Sequence, residues 1–511
     1  MNQNTATTSL SSKKPANSYG SLAARSSMAL TVAKVLRFGL TFMIQAILIN
    51  LLNPGEFGLM KYVTFILGIV NLITTAGLTT AIIQKKELSK EELGPVFLLN
   101  LFICCGLYLI IYAISPLLSV LFKAPELTTL IRIGSLVVPL GGVSVVHRAV
   151  MQREFRYSQY SLIEICSAVL SSAAAVIMAF MGYGVWALVG SLISFHLCST
   201  LLAFLLQRNV GCTFSGISRV LPLFWFSSGW ILQKVIEYFN ANLDNLMVGR
   251  FFGTSVLGTY SIAFEIISIP QIAFGLVLGP VAISVFSRMQ DDQKRLADAY
   301  LKILLYSSLG ATLYALIIGL CADDLMKIIT FFRAGDTWNE TVTFLQFLAP
   351  LGLIYSFASY PGLLWAAKRK ISLQIIWATT MTLLTMVFVG VGALYGPTGV
   401  CIALLIRAVT IFPILLMIMK KASGISPLNY LRALTPSLFC GAVSAGACIL
   451  TIHLLKTYHP VHFILRLSVC VFVSISAFAG CLIFFFRPRF LQLINYLRPQ
   501  AEGETRQADS M

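Results

Sequence analysis

The chain has 511 residues, 57% hydrophobic and only 11% charged, with a mean hydropathy of +0.84. Soluble domains carry about 25% charged residues, so a water-soluble globular protein is excluded and a polytopic all-α membrane protein is predicted. The net charge of +17 reflects Lys and Arg in cytoplasmic loops and tails, not a nucleic-acid-binding surface. The 11 Cys include no CxxC pair and read as small buried hydrophobes. The five His show no ligand spacing, so neither a disulfide framework nor a metal site is implied.

In chain order, residues 1–26 are rich in Ser, Asn, Thr and Ala and read as a disordered cytoplasmic tail, with no cleavable signal peptide. About fourteen spans follow: 27–52, 58–83, 94–121, 128–147, 160–181, 184–206, 222–249, 256–286, 299–321, 341–365, 371–394, 398–419, 433–455 and 463–486. Each reaches the ~20 residues that a bilayer needs. With the N-terminus inside, the inner segments hold 25 Lys and Arg against 5 in the outer ones, a positive-inside bias that puts both termini in the cytoplasm. The predicted organisation is an N-terminal six-helix bundle (27–210), a second six-helix bundle (211–421), an appended helix pair (422–487) and a cytoplasmic tail (488–511). The appended pair has few polar residues and offers a groove for an apolar chain. Pro270 and Pro280 interrupt the eighth span, as a fixed bend or as a hinge.

The seventh span is unusually polar. Lys234, Glu237, Asn240 and Asp244 fall on one helical face about 100° wide. A charge at bilayer depth costs about 2.5–3.5 kcal/mol on insertion scales, so such a face turns to a bundle interior or a water-filled cavity. It is either a structural Lys234–Glu237 pair or the lining of a polar pathway. On the first span Lys34 and Arg37 share a face, roughly 12–16 Å in from the cytoplasm at 1.5 Å per residue; Lys34 can snorkel, while Arg37 lies deeper. Together with Lys234 they make a candidate cationic cavity for an oxygen-rich anion, phosphate above all. Arg407, within two turns of Pro413, is a further member or the partner of a backbone carbonyl at a helix break. Glu237, Asp244 and Glu265 are candidate ion-coupling or counter-charge groups. Lys61, Arg132 and Arg466 lie near outer span ends and carry no assigned function. No GxxxxGK[ST], HExxH or GxSxG occurs, so no catalytic residue, metal ligand or cofactor is assigned and the chain does not read as an enzyme.

The chain also echoes itself. LINLLNPGEFGLMKY (48–62) aligns with VGRFFGTSVLGTYSI (248–262) at an offset of 200, which pairs Lys34 with Lys234 and Gly58 with Gly258. GYGVWAL (182–188) aligns with GPTGVCIAL (396–404), setting Gly184 over Gly399. Internal duplication is a recurrent plan of secondary transporters.

LLNPGEFGLMKYV with GLTTAIIQKKEL, NANLDNLMVGRFFGTSVLGTYSIAFEI with PVAISVFSRMQDDQKRLADAYLK, and MQREFRYSQ resemble the bacterial polysaccharide-transporter family. These are the Wzx-type flippases of the multidrug/oligosaccharidyl-lipid/polysaccharide (MOP) exporter superfamily, and the resemblance covers residues 25–420. It implies two six-helix bundles related by a pseudo-twofold axis around a central cavity. It also implies an activity: moving undecaprenyl-pyrophosphate-linked oligosaccharide to the outer leaflet of the inner membrane by alternating access, without ATP, for exopolysaccharide, O-antigen or a related surface glycan. The implied partners are the lipid-linked oligosaccharide, membrane lipids, and polysaccharide polymerase and glycosyltransferases, with no cofactor. A cation-coupled multidrug exporter of the same superfamily is the competing reading; the deep charges, Lys34, Arg37, Lys234 and Arg407 against Glu237, Asp244 and Glu265, lean towards an anionic substrate. A membrane-embedded polysaccharide polymerase or glycosyltransferase is the third, and short outer loops speak against it.

Overall fold

A computed structural model describes residues 16–76, 90–207, 228–289, 292–333, 337–358, 360–368, 371–457 and 462–487, together with Ile82. Among these there is no strand. The helices in order are α1 (Ala16–Leu51), α2 (Pro54–Asn71, continued by a π-turn, Leu72–Ala76), α3 (Lys90–Leu121), α4 (Leu127–Gly134), α5 (Val137–Arg153), α6 (Tyr157–Phe180), α7 (Val185–Leu206), α8 (Ser228–Phe252) and α9 (Thr254–Arg288). They continue with α10 (Gln293–Leu320), α11 (Ala322–Ile329), α12 (Asn339–Ala358), α13 (Tyr360–Ala367), α14 (Ile371–Ala393), α15 (Gly396–Ser423), α16 (Pro427–Thr457) and α17 (Phe463–Phe485). The boundary expected at 210/211 and the tail 488–511 lie outside the described residues, as do residues 1–15 of the expected tail; residues 16–26 belong to α1.

Thirteen spans among the described residues are long and apolar enough to cross a membrane, so the chain is a multi-pass membrane protein. They match the expected spans with one exception. The seventh, α8, has 25 residues, about 37 Å at 1.5 Å per residue, but its Lys234, Glu237, Asp244 and Arg250 set it apart from the apolar thirteen. The expected fourth span is a broken one: α4 and α5 are separated at Ser135–Leu136, where Ser135 N–H donates to the Ile131 carbonyl (2.8 Å) and Val138 N–H to the Ser135 carbonyl (2.9 Å). A break inside a bilayer persists only when its backbone groups are satisfied in this way. The helix α9 continues past both Pro270 and Pro280.

Local chemistry sets the ends. Pro54 opens α2 with its missing N–H at a position that has no intrahelical partner, and the Glu56 carboxylate accepts the Asn53 N–H at 2.7 Å. Gly182 (φ +80°) follows α6 and Gly396 (φ +88°) follows α14, both in the left-handed region open to glycine. These two turns correspond, but Gly184 and Gly399 do not: Gly184 has φ +58°, whereas Gly399 sits inside α15.

The described chain divides into two compact units. The first comprises Met1–Ile262, Ile329–Glu340 and Ser372–Val400. Its hub is α2, whose Tyr62, Val63, Phe65, Ile66 and Val70 are buried against α4, α7 and α8. Around it α1 packs on α6, α6 on α7, and α5 on α3 and α7. The echo found in the sequence becomes a contact here. A Cβ on Gly58 would stand 2.7 Å from the Thr254 carbonyl carbon, and one on Gly258 would stand 2.6 Å from that of Pro54. Each glycine thus meets the residue 200 positions from the other's contact, the reciprocal pattern that a twofold relation between repeats imposes. Nearby, Asn50 Nδ2 donates to the Ile329 carbonyl (2.6 Å), Phe332 N–H donates to Asn50 Oδ1 (3.1 Å), and the Arg333 guanidinium donates to Asn53 Oδ1 (2.5 Å) and the Leu52 carbonyl.

The second unit comprises Ala263–Ile328, Thr341–Ile371 and Cys401–Met511. In it α16 and α17 pack on each other and on α10. Tyr430 donates its hydroxyl to the Phe357 carbonyl (2.7 Å), and Tyr314 donates to that of Ile266 (2.8 Å).

Candidate functional site

In the first unit, Arg37 of α1 pairs with Glu164 of α6, and Arg148 of α5 reaches the other oxygen of the same carboxylate at 3.4 Å. The Arg37 guanidinium also lies 5.0 Å from the centre of the Phe195 ring on α7, within cation–π range. Glu164 and Arg148 are largely buried, while the Arg37 side chain is 47% exposed. One carboxylate shared by two guanidiniums leaves the cluster with an excess positive charge, and each guanidinium keeps donors that a single carboxylate does not saturate.

Beside this cluster is a cavity of about 170 Å³. Its polar lining is Thr64, Asn71, Thr74, Arg148 and His196. A water occupies about 30 Å³ of liquid, so there is room for a polar headgroup. Two features mark its wall. The π-turn 72–76 lies at its wall, a distortion frequent at functional sites. Gly68 and Gly141 also line it; a Cβ on Gly141 would meet His196 Nδ1 at 2.8 Å and one on Gly68 would meet Tyr238 Cε2 at 3.0 Å.

A second polar group lies on α8 and α14. Lys234 pairs with Glu237 (2.7 Å), Gln233 donates to Glu237 Oε1 (3.0 Å) and to Gln374 Oε1 (2.7 Å), and Thr385 donates to Asn240 Oδ1 (3.4 Å). The Lys234–Glu237 ion pair is formed, and its charges cancel. Asp244 departs from the stripe: only 4% exposed, it accepts from the Tyr260 hydroxyl (2.7 Å) and from Asn245 Nδ2 (3.2 Å), tying α8 to α9.

The other expected site residues are dispersed. Lys34 is exposed on α1, one turn before Arg37. Arg407 and Glu265 belong to the second unit. Arg407 is 7% exposed and donates to the Tyr355 hydroxyl at 2.6 Å; Glu265 is half-buried on α9. Arg37 and Lys234 have different counter-ions, Glu164 and Glu237.

Sequence reasoning misses Arg148, Glu164 and His196. A fourth span ending at 147 puts Arg148 in a loop, whereas α5 continues to Arg153. Glu164 has a visible signal, as the only charged residue in Tyr157–Phe180. In the second unit, Arg466 is no surface-seeking side chain: it pairs with buried Asp324 through both Nε (2.7 Å) and Nη2.

A family described as polysaccharide biosynthesis protein matches residues 47–343. The lipopolysaccharide biosynthesis protein WzxC of Escherichia coli (strain K12) is 26% identical over 79% of this chain and 82% of its own length. The succinoglycan biosynthesis transport protein ExoT of Rhizobium meliloti (strain 1021) is 29% identical over 52% of this chain and 54% of its own. Among solved structures, the lipid II flippase MurJ in an inward closed conformation superposes with a TM-score of 0.67 at 15% identity, covering 93% of this chain and 99% of that one. An inward-facing MATE multidrug transporter of the MOP superfamily gives 0.54 at 17% identity, over 82% and 96%. The fold is therefore that of MurJ and the MATE transporters.

Proposed function

Since the chain belongs to the polysaccharide biosynthesis protein family, we propose that it is a flippase that carries undecaprenyl-pyrophosphate-linked oligosaccharide from the cytoplasmic to the outer leaflet of the inner membrane. The names of its relatives support a role in surface-polysaccharide export, and the MurJ fold supports a lipid-linked substrate moved by alternating access. Residues 27–210 and 211–421 act as the two halves, an assignment supported by the reciprocal packing of Gly58 and Gly258. Both termini lie in the cytoplasm, a placement that the excess of Lys and Arg in the inner over the outer segments supports. The protein works beside the polymerase and glycosyltransferases that make and consume its cargo, and performs no bond chemistry itself.

The observation that carries this reading is the positively charged cavity inside an apolar helix bundle. A pyrophosphate brings about two negative charges out of water, and each charge-assisted bond from a guanidinium contributes roughly 1.5–3 kcal/mol. Arg37 and Arg148 take up the pyrophosphate, with Glu164 holding both until the anion replaces it. His196, Asn71 and Thr74 supply the further hydrogen bonds. Lys234, in the same unit, serves as a secondary cation, with Glu237 and Asp244 as counter-charges; within the second unit Arg407 is a further cation and Glu265 a counter-charge. A cation-selective drug site would need the opposite balance.

The test is complementation of a flippase-deleted strain that makes a glycan this chain accepts, with each variant's membrane level measured. Replacing Arg37 or Arg148 by Ala removes at least one charge-assisted bond and lowers transport about tenfold or more. Full restoration of surface glycan by both variants, at normal membrane levels, would overturn the assignment.

A further inference from the structure

Cysteines far apart in the sequence meet in the second unit. Cys321 caps α10, Cys448 lies on α16 and Cys470 on α17. Their Sγ atoms all lie within 4.8 Å of one another, and all three residues are buried. Leu316, Leu320, Ile452 and Leu467 pack around them. Packing alone asks only for a small side chain at each position, which Ala supplies as well; it does not ask that thiols from separate helices converge on one point.

The triangle is braced from two sides. One turn beyond Cys321, buried Asp324 binds Arg466, which stands one turn before Cys470. One turn before Cys448, Ser444 donates to the carbonyl of Ser474, one turn beyond Cys470, at 2.8 Å. The separations of the thiols are therefore fixed by contacts that do not involve sulfur. Sulfurs bound to one metal at about 2.3 Å stand roughly 3.8–4.0 Å apart in trigonal or tetrahedral geometry, so closure of the site asks for a movement of less than about 1 Å.

Sulfur donors select soft cations over magnesium or calcium. The apolar surroundings select the charge. With all three ligands as thiolates, a divalent cation leaves a net charge of −1, whereas a monovalent cation leaves −2, which is costlier to bury. We propose that Cys321, Cys448 and Cys470 form a binding site for a soft divalent d¹⁰ cation of the zinc type, which clamps α17 and α16 to α10. For each cation bound, three thiol protons pass to solvent and no electrons move. The site is independent of the flippase reading.

The experiment uses the full chain, purified in detergent under reductant, freed of reductant and titrated with cadmium chloride as the probe. The expected result is a cadmium ion retained through gel filtration, with a thiolate-to-cadmium ultraviolet absorption and release of protons to the buffer. Cys470→Ser and Cys321→Ser each abolish that absorption, while the Cys440→Ser/Cys481→Ser variant, altered at two other buried cysteines, keeps it. Elution profiles establish that each variant is folded, and the wild-type titration decides without them. No retained cadmium in the wild type, an absorption that survives Cys470→Ser in folded protein, or a thiol count showing a disulfide among these three cysteines overturns the proposal.

Discussion

Replacing Gly58 or Gly258 by Ala tests the pairing of the repeats. A Cβ on Gly58 would stand 2.7 Å from the Thr254 carbonyl carbon and 3.0 Å from its Cα, with the carbonyl oxygen nearer still. On Gly258 the corresponding distances to Pro54 are 2.6 and 3.1 Å. In both cases the obstacle is backbone, which cannot rotate away as a side chain does, so α2 and the start of α9 must separate. Overpacking of one methyl group costs about 1–3 kcal/mol, and two backbones in contact put these variants at the upper end. At about 2–4 °C per kcal/mol for a domain of 150–250 residues, each variant should unfold roughly 5–10 °C below the wild type. Gly446 and Gly480, where an added methyl would meet nothing within 4 Å, serve as controls: on a helix Ala is favoured over Gly by about 0.5–1 kcal/mol, so their Ala variants should match or exceed the wild type. The assay is thermal unfolding in detergent, followed by the loss of the monodisperse elution peak. If Gly58→Ala and Gly258→Ala melt with the controls, the close reciprocal packing is wrong; if only one of them melts early, the twofold relation is wrong.

Other expectations come from individual charges. Arg466→Ala strands Asp324 in a buried site, and breaking a buried pair costs about 3–5 kcal/mol, so its melting temperature should fall further than that of Arg466→Met/Asp324→Leu, which removes both charges. Tyr260→Phe takes a hydrogen bond from buried Asp244 and should cost about 1–3 kcal/mol, measured by the same melting assay. Glu164→Gln removes the counter-charge shared by Arg37 and Arg148. Partial exposure of Arg37 trims the effect to about 1 kcal/mol, roughly fivefold in affinity, so the variant should half-saturate at a lower concentration of pyrophosphate lipid in reconstituted vesicles while turning over more slowly.

What the sequence determined by itself was local. Twenty apolar residues make a span in any context because the bilayer is the solvent. The echo of Gly58 in Gly258 was legible because a close backbone approach tolerates no other residue, so the repeat left the same letter twice. Lys234 and Glu237 met as expected because the i, i+3 spacing of a helix brings them together before any neighbour is chosen. The tertiary structure decided every contact between helices. Arg37 meets Glu164, 127 residues away, and Arg148 joins them only because α5 outruns the expected end of its span. Asp244 shares a stripe with Lys234 in the sequence, yet is turned onto Tyr260. Cys321, Cys448 and Cys470 carry no spacing motif, since their ligand geometry is set across α10, α16 and α17. In a membrane bundle the rotation and tilt of each helix follow from packing against its neighbours, and lipid-facing and protein-facing sides are both apolar, so hydropathy announces a helix without saying which way it faces.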